Sequence, residues 1–360
     1  MKKLTVIFFL IFIFSVPIIT IISPDKKISQ IENKILTQFK KPTLENIYNK
    51  DFMENFDKYS SDQFPFRESF LKFKNNYSYI VGQREFRNIY VTKNNMLVEK
   101  YIFNKDNIDS NLEKINETVD YLKSRNIDST VSIIPNSIAF YEDELPIYAI
   151  FDSQLDSLKY IEDNISGTYY TPFNTLLQNK DKYIYFNGDH HLTQLGSYLI
   201  HLDMIQLDYN NLYEKYEIVS DDFYGSYYSK TLLSKINPDK IYSYKNYNNF
   251  RIEMDFSDEF DTLYDENKLN SKNQYQYFLH GDPGFAVIYG NENLDKEIMV
   301  FKDSYFHNFA PFLTSNYSKI HIVDPRYYDI DLPKYLEENE NITECLFFNN
   351  LNLLNSEVIY

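Results

Sequence analysis

Hydrophobic and polar positions divide the chain into three regimes. The first is an uncharged run, "LTVIFFLIFIFSVPIITIIS", which follows Lys2 and Lys3 and is long enough to cross a bilayer as a helix. It lacks a small-residue cleavage site of the signal-peptide kind, so residues 1–23 are expected to form an uncleaved signal-anchor. The paired lysines favour a cytoplasmic amino terminus, which would make the chain a single-pass cell-membrane protein with its remainder outside. Residues 24–95 are polar and mostly helix-compatible, a helical stalk or N-terminal extension. Within them "DQFPFRESF" breaks the chain before an amphipathic stretch. At their end "NIYVTKNNMLVEKY" reads as a hairpin around an Asn-Asn turn.

The third regime, residues 96–360, alternates helical and strand periods. Leu112, Ile115, Val119 and Leu122 share one helix face. "STVSIIP" then reads as a strand, "DSQLDSLKYIEDNI" as a helix, "KYIYF" as a strand, and the residues around Leu195–Ile205 as a helix. Between 208 and 295 the rhythm lapses into Tyr-, Asn- and Asp-rich sequence with short β-like runs, including "NQYQYFLH" and "FAVIYG", and is expected to be an insertion. The alternation returns with "EIMVF", "DSYFHNFAPFLTSNY", "KIHIVD", "LPKYLEENE" and "ECLFF". Strands separated by helices predict an α/β fold, a mostly parallel sheet flanked by helices, with ligands at the carboxyl ends of its strands.

Composition narrows the picture. With 43% hydrophobic and 24% charged residues the chain is that of a folded protein, and its net charge of −16 argues against a nucleic-acid partner. The single Cys, Cys345, cannot form an internal disulfide.

Two loops carry candidate chemistry. "GDHHLTQLGSY" sets Asp189, His190 and His191 side by side in a chain with only six His. Three readings compete for it: a metal site, the base half of a catalytic triad, or a helix start capped by Thr193. Adjacent side chains tend to point apart, and no second His at helical spacing or Cys pair assists, so metal is disfavoured. The other loop is "EIMVFKDSYFHNF", where Asp303-Ser304 follows an apolar strand. A hydroxyl there needs a base within hydrogen-bond reach and a carboxylate to orient that base. Ser304, His191 and Asp189 make such a set if the two loops meet. The plainer alternative is that Asp303 or Ser304 only caps the following helix. His280 and His307 are further loop histidines.

The two loops together resemble the signatures of the bacterial DHHW protein family. "GDHHLTQLGSY" resembles its naming motif, and "KDSYFHNFAPFL" with "SKIHIVDPRYY" resembles its second one. "DQFPFRESF", "IIPNSIAFYEDELP" and "DFYGSYYSK" also look like family segments. That family is similar to AlgX/AlgJ-type SGNH-hydrolase-like domains of polysaccharide O-acetylation. The resemblance implies Ser304 as nucleophile, His191 as base and Asp189 as its orienter, with Asn136, Tyr305, His190 and Arg326 lining the pocket or serving the oxyanion. Asp324 and Tyr327 match the same late segment as Arg326. Leu192 departs from the pattern, standing where the family usually has Trp.

The resulting expectation is extracytoplasmic acyl transfer, to a cell-surface polysaccharide, without metal or cofactor and beside a membrane-bound O-acyltransferase. A carbohydrate esterase using the same residues, and an inactive glycan-binding or assembly factor, are the alternatives.

Overall fold

The structure, a computed structural model, describes residues 2–32, 34–207, 216–244, 249–255 and 258–360. Parts of the expected 208–295 insertion (208–215, 245–248, 256 and 257) therefore lie outside the described residues. The chain divides into two compact units, Met1–Arg87 with Tyr228–Lys235, and Asn88–Tyr227 with Ile236–Tyr360.

In the first unit the helices Asp51–Asp62 and Arg67–Ile80 flank the Phe64-Pro65-Phe66 break. Phe66 takes a left-handed conformation, φ 57°, before the second helix begins. Asp62 accepts from Lys34 Nζ (2.6 Å) and from the amide of Thr37 (3.0 Å), which anchors the segment before these helices to the end of the first.

A helix, Lys2–Ile22, does form over the amino-terminal apolar run. Yet a span needs about twenty consecutive apolar residues, and among the described residues no helix is long and apolar enough to cross a membrane. Within Lys2–Ile22 the side chains of Lys2, Lys3, Phe8, Phe12, Val16 and Ile21 lie outside the described ones. The expected transmembrane signal-anchor, the membrane as a partner through it, and the single-pass extracytoplasmic placement are corrected on this finding.

The second unit is built on an eight-stranded sheet. Its strands are β1 (Asp128–Ile134), β2 (Thr168–Tyr170), β3 (Ile252–Met254), β4 (Asp258–Phe260), β5 (Phe285–Tyr289), β6 (Glu297–Lys302), β7 (Lys319–Val323) and β8 (Ile342–Asn350). Their spatial order is β4-β3-β5-β7-β6-β8-β1-β2. The run β7-β6-β8-β1-β2 is parallel, with Val300 beside Ile322 on one side and Leu346 on the other. β5, β3 and β4 extend it antiparallel at one edge. Every residue of β6 is buried, as a central parallel strand covered on both faces requires. The hairpin pairs Ile89–Val91 with Leu97–Glu99. The long helix Lys105–Ser124 buries Leu112, Ile115, Val119 and Leu122 on its apolar stripe, and Cys345 is a free, buried thiol within β8.

Three local expectations fail for identifiable reasons. "KYIYF" does not join the sheet; only Tyr185 makes a β-bridge, with Leu192. The amide of Thr193 donates to Ile184 O (2.9 Å) and that of Phe186 to His191 O (3.3 Å), so the segment pairs with its own continuation. "DSYFHNFAPFLTSNY" is a 3₁₀ turn, Ser304–Phe306, followed by a short helix, Ala310–Leu313, with Pro311 in its first turn. Proline lacks the N–H that a helix running through it would need. "NQYQYFLH" forms a 3₁₀ turn at Gln274–Tyr277 instead of a strand.

The helix Gln194–Met204 packs closely on the segment before it. A Cβ on Gly196 would sit 2.4 Å from Ile184 O and 2.8 Å from Leu192 Cδ2. Gly196→Ala should therefore lower unfolding free energy by about 1–3 kcal/mol, the usual cost of overpacking. Urea unfolding measures it, and a midpoint equal to that of the parent protein would refute the packing described.

Candidate active site

The carboxyl ends of β1, β8 and β6 lie side by side and lead into Asn136, Asn350 and Asp303-Ser304 respectively. Asp303 caps the Ser304 turn by accepting from the amide of Tyr305 (2.8 Å), and it accepts the amide and side chain of Asn350 at 2.6 and 2.8 Å. Capping and presenting a hydroxyl thus coexist at this turn. Burial pushes the Asp303 carboxyl up, while these donors and the Arg326 charge oppose the shift.

The other loop is held from beneath. Asp239 accepts from the amides of Asn187 (2.9 Å) and Gly188 (2.7 Å) and from Tyr183 Oη (2.7 Å), which fixes the turn before Asp189. Thr193 caps the following helix, Gln194–Met204, so the helix-start reading also holds at the level of the backbone. Asn308, just past the Ser304 turn, donates to Leu192 O (2.7 Å) and accepts from Ser197 Oγ (2.7 Å), tying the two loops together.

The geometry at their meeting is direct. Asp189 Oδ1 lies 2.6 Å from His191 Nδ1, and His191 Nε2 lies 2.8 Å from Ser304 Oγ. Asp189 Oδ1 also accepts the amide of His191 (3.0 Å), and Oδ2 accepts that of Ser226 (2.6 Å). Burial alone would raise the Asp189 carboxyl, but the neighbouring His190 and His191 and these hydrogen bonds hold it well below the usual carboxylate range. His191 is lowered to about 4, first by burial and then by His190, against the pull of Asp189. At neutral pH the imidazole is therefore uncharged. An ionised carboxylate at Nδ1 requires the proton there, which leaves Nε2 as the acceptor facing the Ser304 hydroxyl.

The remaining candidates surround this line. His190 is partly exposed, with Nδ1 2.8 Å from Ser226 Oγ. Tyr305 is fully buried; its hydroxyl donates to His190 O (2.5 Å) and accepts from Asn136 Nδ2 (2.7 Å). Arg326 clasps Asp324 through Nε (2.9 Å) and Nη2 (2.7 Å), and Asp324 also receives the buried Lys302 ammonium (2.9 Å). Lys302 makes its other contact with His307 Nε2 (2.9 Å). His280 is engaged elsewhere, with Nε2 2.8 Å from Thr262 O. Leu192, at the family Trp position, is fully buried in the hydrophobic core. Asp189, His190 and His191 could also offer a metal one ligand atom each, all within 4.8 Å of one another. A cation there would compete with the hydrogen bond that joins Asp189 to His191.

Two contributors went unread in the sequence. Tyr275 lies parallel to His191, and Gly225 lets the Ser226 amide approach Asp189, since a Cβ at 225 would sit 2.3 Å from Asp189 Cβ and Oδ2. One tyrosine among 34 carries no signal. Gly225 had one: the chain has only eight glycines, and this one lies in the "DFYGSYYSK" segment.

A mostly parallel α/β sheet with a Ser at one strand end, hydrogen-bonded in line with a His and an Asp of a neighbouring loop, defines the class. Residues 85–323 match the DHHW protein family, and the chain belongs to it. Its fold is similar to that of a DHHW family protein from Eubacterium siraeum, with 21% identity, 75% of this chain and 92% of that one covered, and a TM-score of 0.62. It is also similar to Bacillus cereus PatB1, at 19% identity, with 76% and 98% covered and a TM-score of 0.62. PatB1 with a sulfonyl adduct matches at 18% identity, with 75% and 96% covered and a TM-score of 0.61. No curated protein matches the chain.

An NMR titration tests the electrostatics. His191 should carry its proton on Nδ1 at pH 7 and bind a second one only on approaching about pH 4. Between its ordinary 6.5 and that value the unfolded state binds the proton and the folded state does not, so stability should fall as pH falls through this window. A midpoint at or above 6.5 would contradict the burial described.

Proposed function

We propose that the protein transfers an acyl group, acetyl by the family resemblance, to a hydroxyl of a polysaccharide. Ser304 is the nucleophile, His191 the general base and Asp189 the carboxylate that orients it. The observation that carries this reading is the hydrogen-bonded line from Asp189 through His191 to Ser304 Oγ. Ser304 Oγ attacks the carbonyl carbon of an acyl ester while His191 Nε2 takes its proton. The tetrahedral intermediate then collapses, the ester oxygen leaves with that proton, and the acyl group stays on Ser304. An incoming sugar hydroxyl gives its proton to His191, attacks the acyl carbon, and Ser304 departs reprotonated.

PatB1, whose fold this chain shares, has been captured with a sulfonyl adduct, so a protein of this fold can react with such an electrophile. Hydrolysis uses the same steps with water as acceptor.

Incubation with an activated acetyl ester should add one acetyl group at Ser304, seen by mass spectrometry. Ser304→Ala and His191→Ala should each lower kcat/KM at least about a thousandfold. With an oligosaccharide present, acetylated sugar should form in preference to free acetate. Equal labelling of the Ser304→Ala protein would refute the assignment, and acetate release untouched by added sugar would favour the esterase.

A further inference from the structure

The imidazole of His191 lies against the ring of Tyr275 with centroids 3.6 Å apart and planes 9° from parallel. That separation is about one van der Waals contact, so the rings overlap with little offset. Neutral aromatic rings disfavour this arrangement, preferring offset or edge-on contact with centroids about 4.5–7 Å apart. A cation over a ring face is attracted by the same quadrupole. The stack therefore suits protonated His191 better than neutral His191, and in the proposed cycle His191 is protonated only during the two proton-transfer steps, attack by Ser304 and attack by the sugar hydroxyl.

Tyr275 is held in this pose from several sides. It is buried, its hydroxyl donates to the carbonyl of Ser304 (3.0 Å), and the rings of Phe186 and Phe278 stand T-shaped to its own with centroids 6.3 and 5.5 Å away. We propose that Tyr275 is a positioning residue whose ring face stabilises the His191 imidazolium during proton transfer, so that the stack is worth more in the transition state than in the resting protein. The proposal rests on the acyl-transfer reading above. The other groups bearing on His191 are Asp189 and His190 on its own turn, Tyr305 at 5.5 Å, the charge of Arg326, and His307. The His190 ring is as near, with centroids 3.7 Å apart, but it is tilted by 37°, whereas the Tyr275 ring lies parallel to the imidazole.

The test compares Tyr275→Phe, which keeps the face and loses the hydroxyl, with Tyr275→Leu, which loses both. Tyr275→Met serves if the leucine variant does not fold. Two readouts are taken, the NMR titration of His191 and the kinetics on a chromogenic acetyl ester. In Tyr275→Leu the His191 midpoint should move down by roughly half a unit to one unit, and kcat should fall about tenfold with KM within about twofold. Tyr275→Phe should keep the parent midpoint and stay within about threefold in kcat. A Tyr275→Leu protein whose His191 titrates as in the parent overturns the proposal. So does a Tyr275→Phe protein that loses as much as Tyr275→Leu, since the hydroxyl would then be responsible. If the parent protein turns over no ester, the acyl-transfer reading fails, whereas the titration still decides whether the ring face stabilises the imidazolium.

Discussion

The site depends on keeping one carboxylate ionised inside the protein. Asp189 is almost completely buried, and an isolated buried charge is among the costliest things a fold can contain. The structure offsets that cost with an imidazole donor and two backbone amides, each charge-assisted bond contributing about 1.5–3 kcal/mol. The ionised Asp189 in turn dictates the tautomer of His191, and the tautomer leaves the acceptor nitrogen toward Ser304. Gly225, far along the chain, belongs to this account because only a residue without Cβ lets the Ser226 amide reach the carboxylate.

A second buried charge cluster backs the Ser304 turn. Lys302 and Arg326 flank Asp324, and His307 takes the remaining contact of the ammonium. Lys302 ends β6 two residues before Ser304, so the ion cluster fixes where the strand stops and the turn begins. Replacing one member of such a set leaves an uncompensated charge, which is typically worth about 3–5 kcal/mol. Of this cluster, Lys302 and His307 flank the Ser304 turn, whereas Asp324 and Arg326 reach it from the end of β7.

Legibility in the sequence followed the range of the forces involved. The parallel strands were readable because burial on both faces makes them continuous apolar runs, as in Glu297–Lys302 and Ile342–Asn350. Asp189, His191 and Ser304 stood out as candidates because paired histidines follow an Asp and an apolar strand ends in Asp-Ser, but spacing alone left capping and metal readings open and the family resemblance chose among them. What failed depended on partners distant in sequence or on local competition. "KYIYF" has strand propensity, yet Asp239 cradles the turn that follows it and the segment folds back on residues 191–193. Pro311 interrupts the helix expected after Ser304. Tyr275 could not be singled out, because its importance lies in being parallel to His191, a relation that tertiary packing alone creates. The amino-terminal run suggested a bilayer span by length and apolarity, and the described residues do not contain one.

The cross-brace at Asn308 has a bearing on the proposed acyl transfer. An acyl group on Ser304 would leave its oxygen with no hydrogen to offer His191, and the contact linking the two loops at those atoms would be lost. Leu192 O, Ser197 Oγ and His190 O would keep their bonds to Asn308 and Tyr305, because none of these atoms exchanges a proton in the proposed steps. The two loops would thus stay in register while Ser304 was acylated, with the imidazole held in place.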